Sequence, residues 1–336
     1  MTIQLMCAFV LAFLFSTAFG KYYIPWLKRQ KAGQKIKEEV EQHKAKSGTP
    51  TMGGVMFILG TLFALLTLGF PSMLQGRFMH LVVFLFALVF GAIGFLDDWK
   101  KIRAAQNLGL SAKMKFLLQL TAALLFIFIL KKTGNIRSGL YIPFFNVTAD
   151  VPDWFYLLFA AFVIVGTVNA VNLTDGIDGL AAGTSAPVCL FFVAVTFAWG
   201  REYFELGLFA SALLGGLFGF LVYNFNPAKV FMGDTGSLFL GGAIAALAFA
   251  YDMPLILITI GIMFIIETLS DIIQVGYFKL SHGKRVFKMA PFHHHLEMGG
   301  WTGKKWSEKE LFALFTCVTL FFCIVSFLGV LGRYPL

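Results

Sequence analysis

Ten stretches of this 336-residue chain are apolar for long enough to cross a bilayer, at about 2 to 20, 51 to 70, 78 to 96, 116 to 130, 154 to 171, 179 to 199, 203 to 223, 237 to 251, 253 to 278 and 311 to 332. Hydrocarbon offers no water to free backbone N–H and C=O groups, so such stretches must close their hydrogen bonds internally, as helices. With 58% hydrophobic residues, 13% charged residues and a mean hydropathy of +0.78, the chain carries far less charge than a soluble domain. The expected fold class is all-α, a polytopic membrane protein with about ten transmembrane helices and a single integral domain over 1–336. The longest polar segments, 21 to 50 and 279 to 310, are too short to bury a core of their own.

The placement of positive charge sets the expected orientation. No basic residue precedes the first stretch and Lys21 follows it, which reads as an uncleaved helix with its N-terminus outside. On that reading most of the 27 Lys and Arg residues fall in cytoplasmic loops, among them Lys31, Lys35, Lys37, Lys44, Lys46, Lys100, Lys101, Lys113, Lys115 and Lys288. The opposite side keeps Arg77, Lys131, Lys132, Arg137, Arg201 and Arg333, and both termini lie outside. The net charge of +9 then faces anionic lipid headgroups and phosphorylated substrates, with no sign of a nucleic-acid partner. Cys7, Cys189, Cys317 and Cys323 fall inside the stretches without metal or haem spacing and read as packing residues.

Acidic residues are scarce, and their placement is not random. Of nine aspartates, Asp97, Asp98, Asp175, Asp178 and Asp234 form three runs at the ends of apolar stretches. A carboxylate forced to a helix centre costs about 2.5 to 3.5 kcal/mol, so such gathering requires a role: metal binding, phosphate chemistry or an ion path. The topology, built without reference to these acids, puts all three runs on the cytoplasmic side. Asp97 and Asp98 end the third stretch, where neighbouring carboxylates point in different directions and can serve two partners. An interfacial pairing with Lys100 and Lys101 is the bland alternative.

The run from Asn169 to Leu180 holds Asn172, Asp175 and Asp178 with two glycines and no basic residue, an oxygen-rich loop suited to a cation. An Asx-turn is its structural alternative. In the third run, from Tyr223 to Ser237, Asn224 and Phe231 precede Asp234 at the start of a helix, where ordinary capping and an anion site are both open readings. Phe231 and Met232 there offer a surface to a base or an apolar chain. Three consecutive histidines, His293, His294 and His295, cannot all face one metal in regular structure and suit phosphate contacts or a pH-sensitive cluster. Glu267 and Asp271 lie four residues apart on one helical face, open to a buried pairing or a functional role. The absence of a Walker loop argues against ATP-driven chemistry.

These segments, in this order, resemble the polyprenyl-phosphate N-acetylhexosamine-1-phosphate transferases. The resemblance covers essentially the whole chain: Ser47 to Gly54, the Asp97 and Asp98 run, Asn169 to Leu180, Asn224 to Leu238, and Pro291 to Glu297. The last of these looks like the muramoyl-peptide branch. The resemblance implies transfer of phospho-N-acetylmuramoyl-pentapeptide from UDP-N-acetylmuramoyl-pentapeptide to undecaprenyl phosphate, giving lipid I and UMP. It also implies a requirement for Mg²⁺, a bacterial plasma-membrane location, surrounding bilayer lipids and a homodimer. Asp234 is implied as principal Mg²⁺ ligand, with Asp175 beside it. Asp97, Asp98 and His293 join Asp234 as catalytic candidates, Asp97 taking a proton from the lipid phosphate or placing it. Lys113 is implied at the diphosphate, and Asn172, Asp175, Asp178, Asn224, Phe231, His294 and His295 at the substrates. Two rivals remain: the same reaction with UDP-N-acetylglucosamine, and a transporter or flippase in which the acids couple ions.

Overall fold

A computed structural model describes residues 1–30, 48–104, 109–134, 136 and 138–333. Lys31, Lys35, Lys37, Lys44, Lys46, Ser47 and Arg137, invoked above, lie outside the described residues. The described chain is helical almost throughout. In order it forms α1 (Thr2–Arg29), α2 (Gly54–Leu68), α3 (Phe70–Leu74), α4 (Met79–Ala104), α5 (Ala112–Lys132), a two-stranded antiparallel hairpin of β1 (Gly139–Ile142) and β2 (Val147–Asp150), then α6 (Asp153–Thr174), α7 (Leu180–Trp199) and α8 (Phe204–Asn224). It continues with α9 (Gly233–Ala250), α10 (Leu257–Ile260), α11 (Ile262–Leu280), α12 (Phe292–Glu297) and α13 (Glu308–Val330).

Each of the ten expected stretches is helical, although two depart from simple spans. α2 is a 15-residue helix, short for a crossing, and the ninth stretch breaks at Gly261, where α11 leaves the preceding helix at 81°. Eight other helices among the described residues are long and apolar enough to span.

Burial sorts the helices into a centre and a perimeter. α9 is the hub: Leu238 through Phe249 are all inaccessible, and α4, α6 and α2 pack around it. Small residues let backbones meet closely there. A Cβ on Gly54 would lie 2.2 Å from the Gly236 Cα, and one on Gly241 2.6 Å from the Val168 Cα. α1, α5 and α13 present apolar side chains outward, such as Ile3, Phe128 and Leu328. The hairpin caps the end opposite the aspartates, where the Phe144 N–H donates to the Gly329 carbonyl and the Asn146 amide to that of Gly332.

Candidate active site

α4 does not stop where its apolar stretch stops. It continues past Asp97 and Asp98 through Lys101 to Ala104, so the acidic pair sits within a helix. The first turn of α9 lies against this segment, and the two adjacent carboxylates diverge in function as helical geometry requires. Asp98, almost inaccessible, accepts from the backbone N–H groups of Asp234 (3.2 Å) and Thr235 (2.9 Å) and from the Thr235 hydroxyl (2.7 Å). It therefore caps α9 from another helix. Neither Asp234, Thr235 nor Ser237 supplies that cap, and the open anion site anticipated at this terminus is already filled by Asp98.

Asp97 faces the other way. Its Oδ1 accepts the Leu110 N–H at 2.6 Å and its Oδ2 lies 2.5 Å from the Lys101 ammonium, one helical turn ahead. Lys101 also donates to Asp234 Oδ2 at 2.9 Å, and Lys115, from α5, reaches the same oxygen at 3.1 Å. The other Asp234 oxygen accepts from the Asn172 amide at 2.8 Å, at the C-terminal end of α6. Two carboxylates, Asp97 and Asp234, thus meet two ammonium groups, with the Asp98 carboxylate beside them. With all five ionised one negative charge is left over, which favours a cation of higher charge. Oxygens of Asp97, Asp98 and Asp234 lie within 4.8 Å of one another, the one such acidic cluster among the described residues.

The loop before α2, Gly48 to Gly53, is clipped onto this site. The Phe231 N–H donates to the Pro50 carbonyl (2.8 Å), and Gly53 and Gly54 donate back to Phe231 and Met232 (2.8 and 3.0 Å). Pinned on both backbone sides, Phe231 keeps a half-buried side chain. Asn224 and Asp178 hold the same region from below. The Asn224 side chain accepts from Gly179 and donates to Val230, while Asp178 accepts from Asn226 and the Ala228 N–H. Both are clamps of the loop carrying Phe231. Asp175 lies beyond the end of α6, outside the three-carboxylate set. Desolvation first, then the nearby charges of Asp234, Asp98 and Asp178, push its carboxyl well above the usual range.

The histidines divide among three partners. His293 Nδ1 pairs with Glu267 Oε2 at 2.7 Å, and the His293 N–H donates to the other Glu267 oxygen, so the buried pairing of Glu267 is with His293 rather than Asp271. Its Nε2 is buried with no hydrogen-bond partner and faces Gly176, where a Cβ would come within 2.2 Å. His294 Nδ1 pairs with Glu297 at 2.6 Å. His295 accepts the Lys288 N–H and packs among Phe287, Phe292 and Trp301; burial, then the Lys288 charge, lowers its pKa. The three side chains thus take separate partners: Glu267, Glu297 and the Lys288 backbone. Lys113 is exposed on α5, and Lys115 takes the position on Asp234.

Because Asp98 caps α9, its removal has a structural signature. Asp98→Ala strands two buried N–H groups, and a thermal unfolding measurement in detergent is expected to show a loss of about 1.5–3 kcal/mol. Asp98→Asn, which keeps an acceptor, is expected to lose less.

Residues 80–252 match the glycosyl transferase family 4, and residues 46–58 match the phospho-N-acetylmuramoyl-pentapeptide-transferase signature 1, the loop clipped onto Phe231 and Met232. Among similar proteins, the phospho-N-acetylmuramoyl-pentapeptide-transferase of Halalkalibacterium halodurans is 44% identical over 96% of both chains. That of Listeria monocytogenes serotype 4b is 44% identical over 96% of this chain and 97% of its own, and that of Caldanaerobacter subterraneus is 43% identical over 96% and 98%. Whole-length similarity, the signature loop and the carboxylate–lysine centre beside it together place the chain in the phospho-N-acetylmuramoyl-pentapeptide-transferase family, within glycosyl transferase family 4.

Proposed function

We propose that this protein transfers phospho-N-acetylmuramoyl-pentapeptide from UDP-N-acetylmuramoyl-pentapeptide to undecaprenyl phosphate, releasing UMP and forming lipid I on the cytoplasmic face of a bacterial plasma membrane. The observation that carries the reading is the convergence of Asp97, Asp98, Asp234, Lys101 and Lys115 in a chain of this family. Basic loop residues on the same side support the cytoplasmic placement.

The donor set fits Mg²⁺: hard carboxylate oxygens, close together, with compensating cations that can turn away. Asp234 would hold the ion, with Asp97 within reach of it and Asp98 fixing the helix start beneath them. When bound, Mg²⁺ supplies neutralisation of diphosphate charge. Lys101 and Lys115 exchange their carboxylate partners for phosphate oxygens, keeping that charge in place as the bond to UMP breaks. Asp97 accepts the lipid-phosphate proton or orients its oxygen toward the sugar-linked phosphorus. Phe231 offers a ring face to the uracil, Asn172 orients Asp234, and His293 directs Nε2 toward the loop of Asp175 and Gly176. One phosphoanhydride breaks and another forms, so the reaction runs readily in both directions.

A transporter would place its acids along a path through the bilayer; here three of them meet at one end of α4 and α9. Purified protein with Mg²⁺, undecaprenyl phosphate and radiolabelled donor is expected to release UMP, and to stop when EDTA is added. Failure to release UMP refutes the transferase reading. Preference for UDP-N-acetylglucosamine refutes the donor.

A further inference from the structure

We infer that Gln119, buried inside the membrane span of α5, is a positioning residue for the site: its hydrogen bond to Asn169 of α6 sets the register in which Lys115 and Asn172 meet the two oxygens of Asp234. The inference rests on the transferase reading for its kinetic consequence, although the clip itself does not.

Two levels of polar contact join α5 to α6. At the upper level Lys115 donates to one Asp234 oxygen (3.1 Å), while Asn172 donates to the other and to the Ser237 hydroxyl (both 2.8 Å). One turn further into the span, Gln119 follows Lys115 by four residues and Asn169 precedes Asn172 by three, so each pair shares a helix face. There the Asn169 amide donates to Gln119 Oε1 at 2.7 Å and to the Val165 carbonyl at 2.8 Å. Among the described residues no other side-chain hydrogen bond links the two helices between Lys115 and Lys131. α5 otherwise turns Leu117, Leu125 and Phe128 to lipid and packs Ala122, Ala123, Phe126, Ile127 and Leu130 inward, an apolar contact without a directional bond.

Gln119 is also not there for burial. It is fully inaccessible, and its Nε2 has no hydrogen-bond partner. A buried amide with a stranded donor is a poor choice for stability, and leucine of similar size exchanges that donor for one N–H of the half-buried Asn169, which keeps its bond to the Val165 carbonyl. Retaining glutamine makes sense where a directional bond is needed, because a leucine packs equally well in several registers.

This separates positioning from support. Gln119→Leu is expected to leave the unfolding temperature unchanged or higher while kcat falls about tenfold with unchanged KM for the nucleotide donor, the scale of a small misplacement of catalytic groups. The exchanged pair Gln119→Asn with Asn169→Gln is expected to recover most of that loss. Independently of turnover, spin labels on the exposed α5 residue Leu118 and α6 residue Phe162, with exposed Cys7 and Cys317 replaced by serine, are expected to show a broader distance distribution in Gln119→Leu. An unchanged distribution overturns the clip, as does a kcat loss matched by a fall in stability. A broadened distribution in a protein that never releases UMP leaves the clip standing and refutes the reaction instead.

Discussion

Asp234→Asn and Asp97→Asn are each expected to lower turnover by at least about 100-fold while the protein still inserts and folds, the lower range for loss of one acid–base or charge-bearing group. Asp234 is the point where four elements meet: it lies on α9, accepts from Lys101 of α4 and Lys115 of α5, and accepts from Asn172 of α6. An amide of the same shape keeps one acceptor oxygen and deletes the charge that attracts both ammonium groups and a divalent ion. Asp97 has its Oδ1 fixed by the Leu110 N–H, which leaves Oδ2 as the working oxygen. In neither case does the change strand a helix terminus, because Asp98 retains the cap of α9. UMP release by the two variants, measured beside their unfolding temperatures, checks this. Near-normal turnover in both removes the site assignment.

The second large effect comes from a residue with no side chain. Gly94 sits on α4 where α9 begins, and a Cβ there would lie 2.0 Å from the Asp234 carbonyl oxygen, 2.3 Å from its carbonyl carbon and 2.7 Å from the Thr235 nitrogen. All three are backbone atoms and cannot swing aside. Gly94→Ala must push the first turn of α9 away by about 1 Å, a displacement of the kind that costs on the order of 100-fold in rate. The same overpacking is expected to destabilise by about 1–3 kcal/mol. Gly166→Ala on α6, whose Cβ meets nothing within 4 Å, is the matched control and is expected to leave turnover unchanged and stability equal or up to about 1 kcal/mol higher. Equal activity in the two variants contradicts the close packing of α4 on α9 as the device that places Asp234.

The sequence showed the aspartates because charge beside hydrocarbon is costly, and that cost is local. Lys101 was harder to place because hydropathy loses α4 at position 96, whereas the helix runs on to Ala104 and sets Lys101 one turn beyond Asp97. Lys113 and Lys115 are two residues apart, hence on different faces of α5, and nothing local says which face meets Asp234. The cap that Asp98 gives to α9 crosses 136 residues and leaves no trace in either segment. Likewise the ninth apolar stretch reads as one span because hydropathy is blind to the 81° break at Gly261. The histidines were legible as a group but not as three separate contacts, since Glu267, Glu297 and the Lys288 backbone come from different distances along the chain.

Anomalous scattering from crystals grown with Mn²⁺, an oxygen-seeking stand-in for Mg²⁺, locates the bound metal among the carboxylates. A single strong peak is expected in contact with the Asp234 carboxylate and within reach of Asp97, with Lys101 and Lys115 turned from their carboxylate partners. A peak at the His293 to His295 segment or at Asp175 and Asp178, with Asp234 still bound only by lysines, contradicts it.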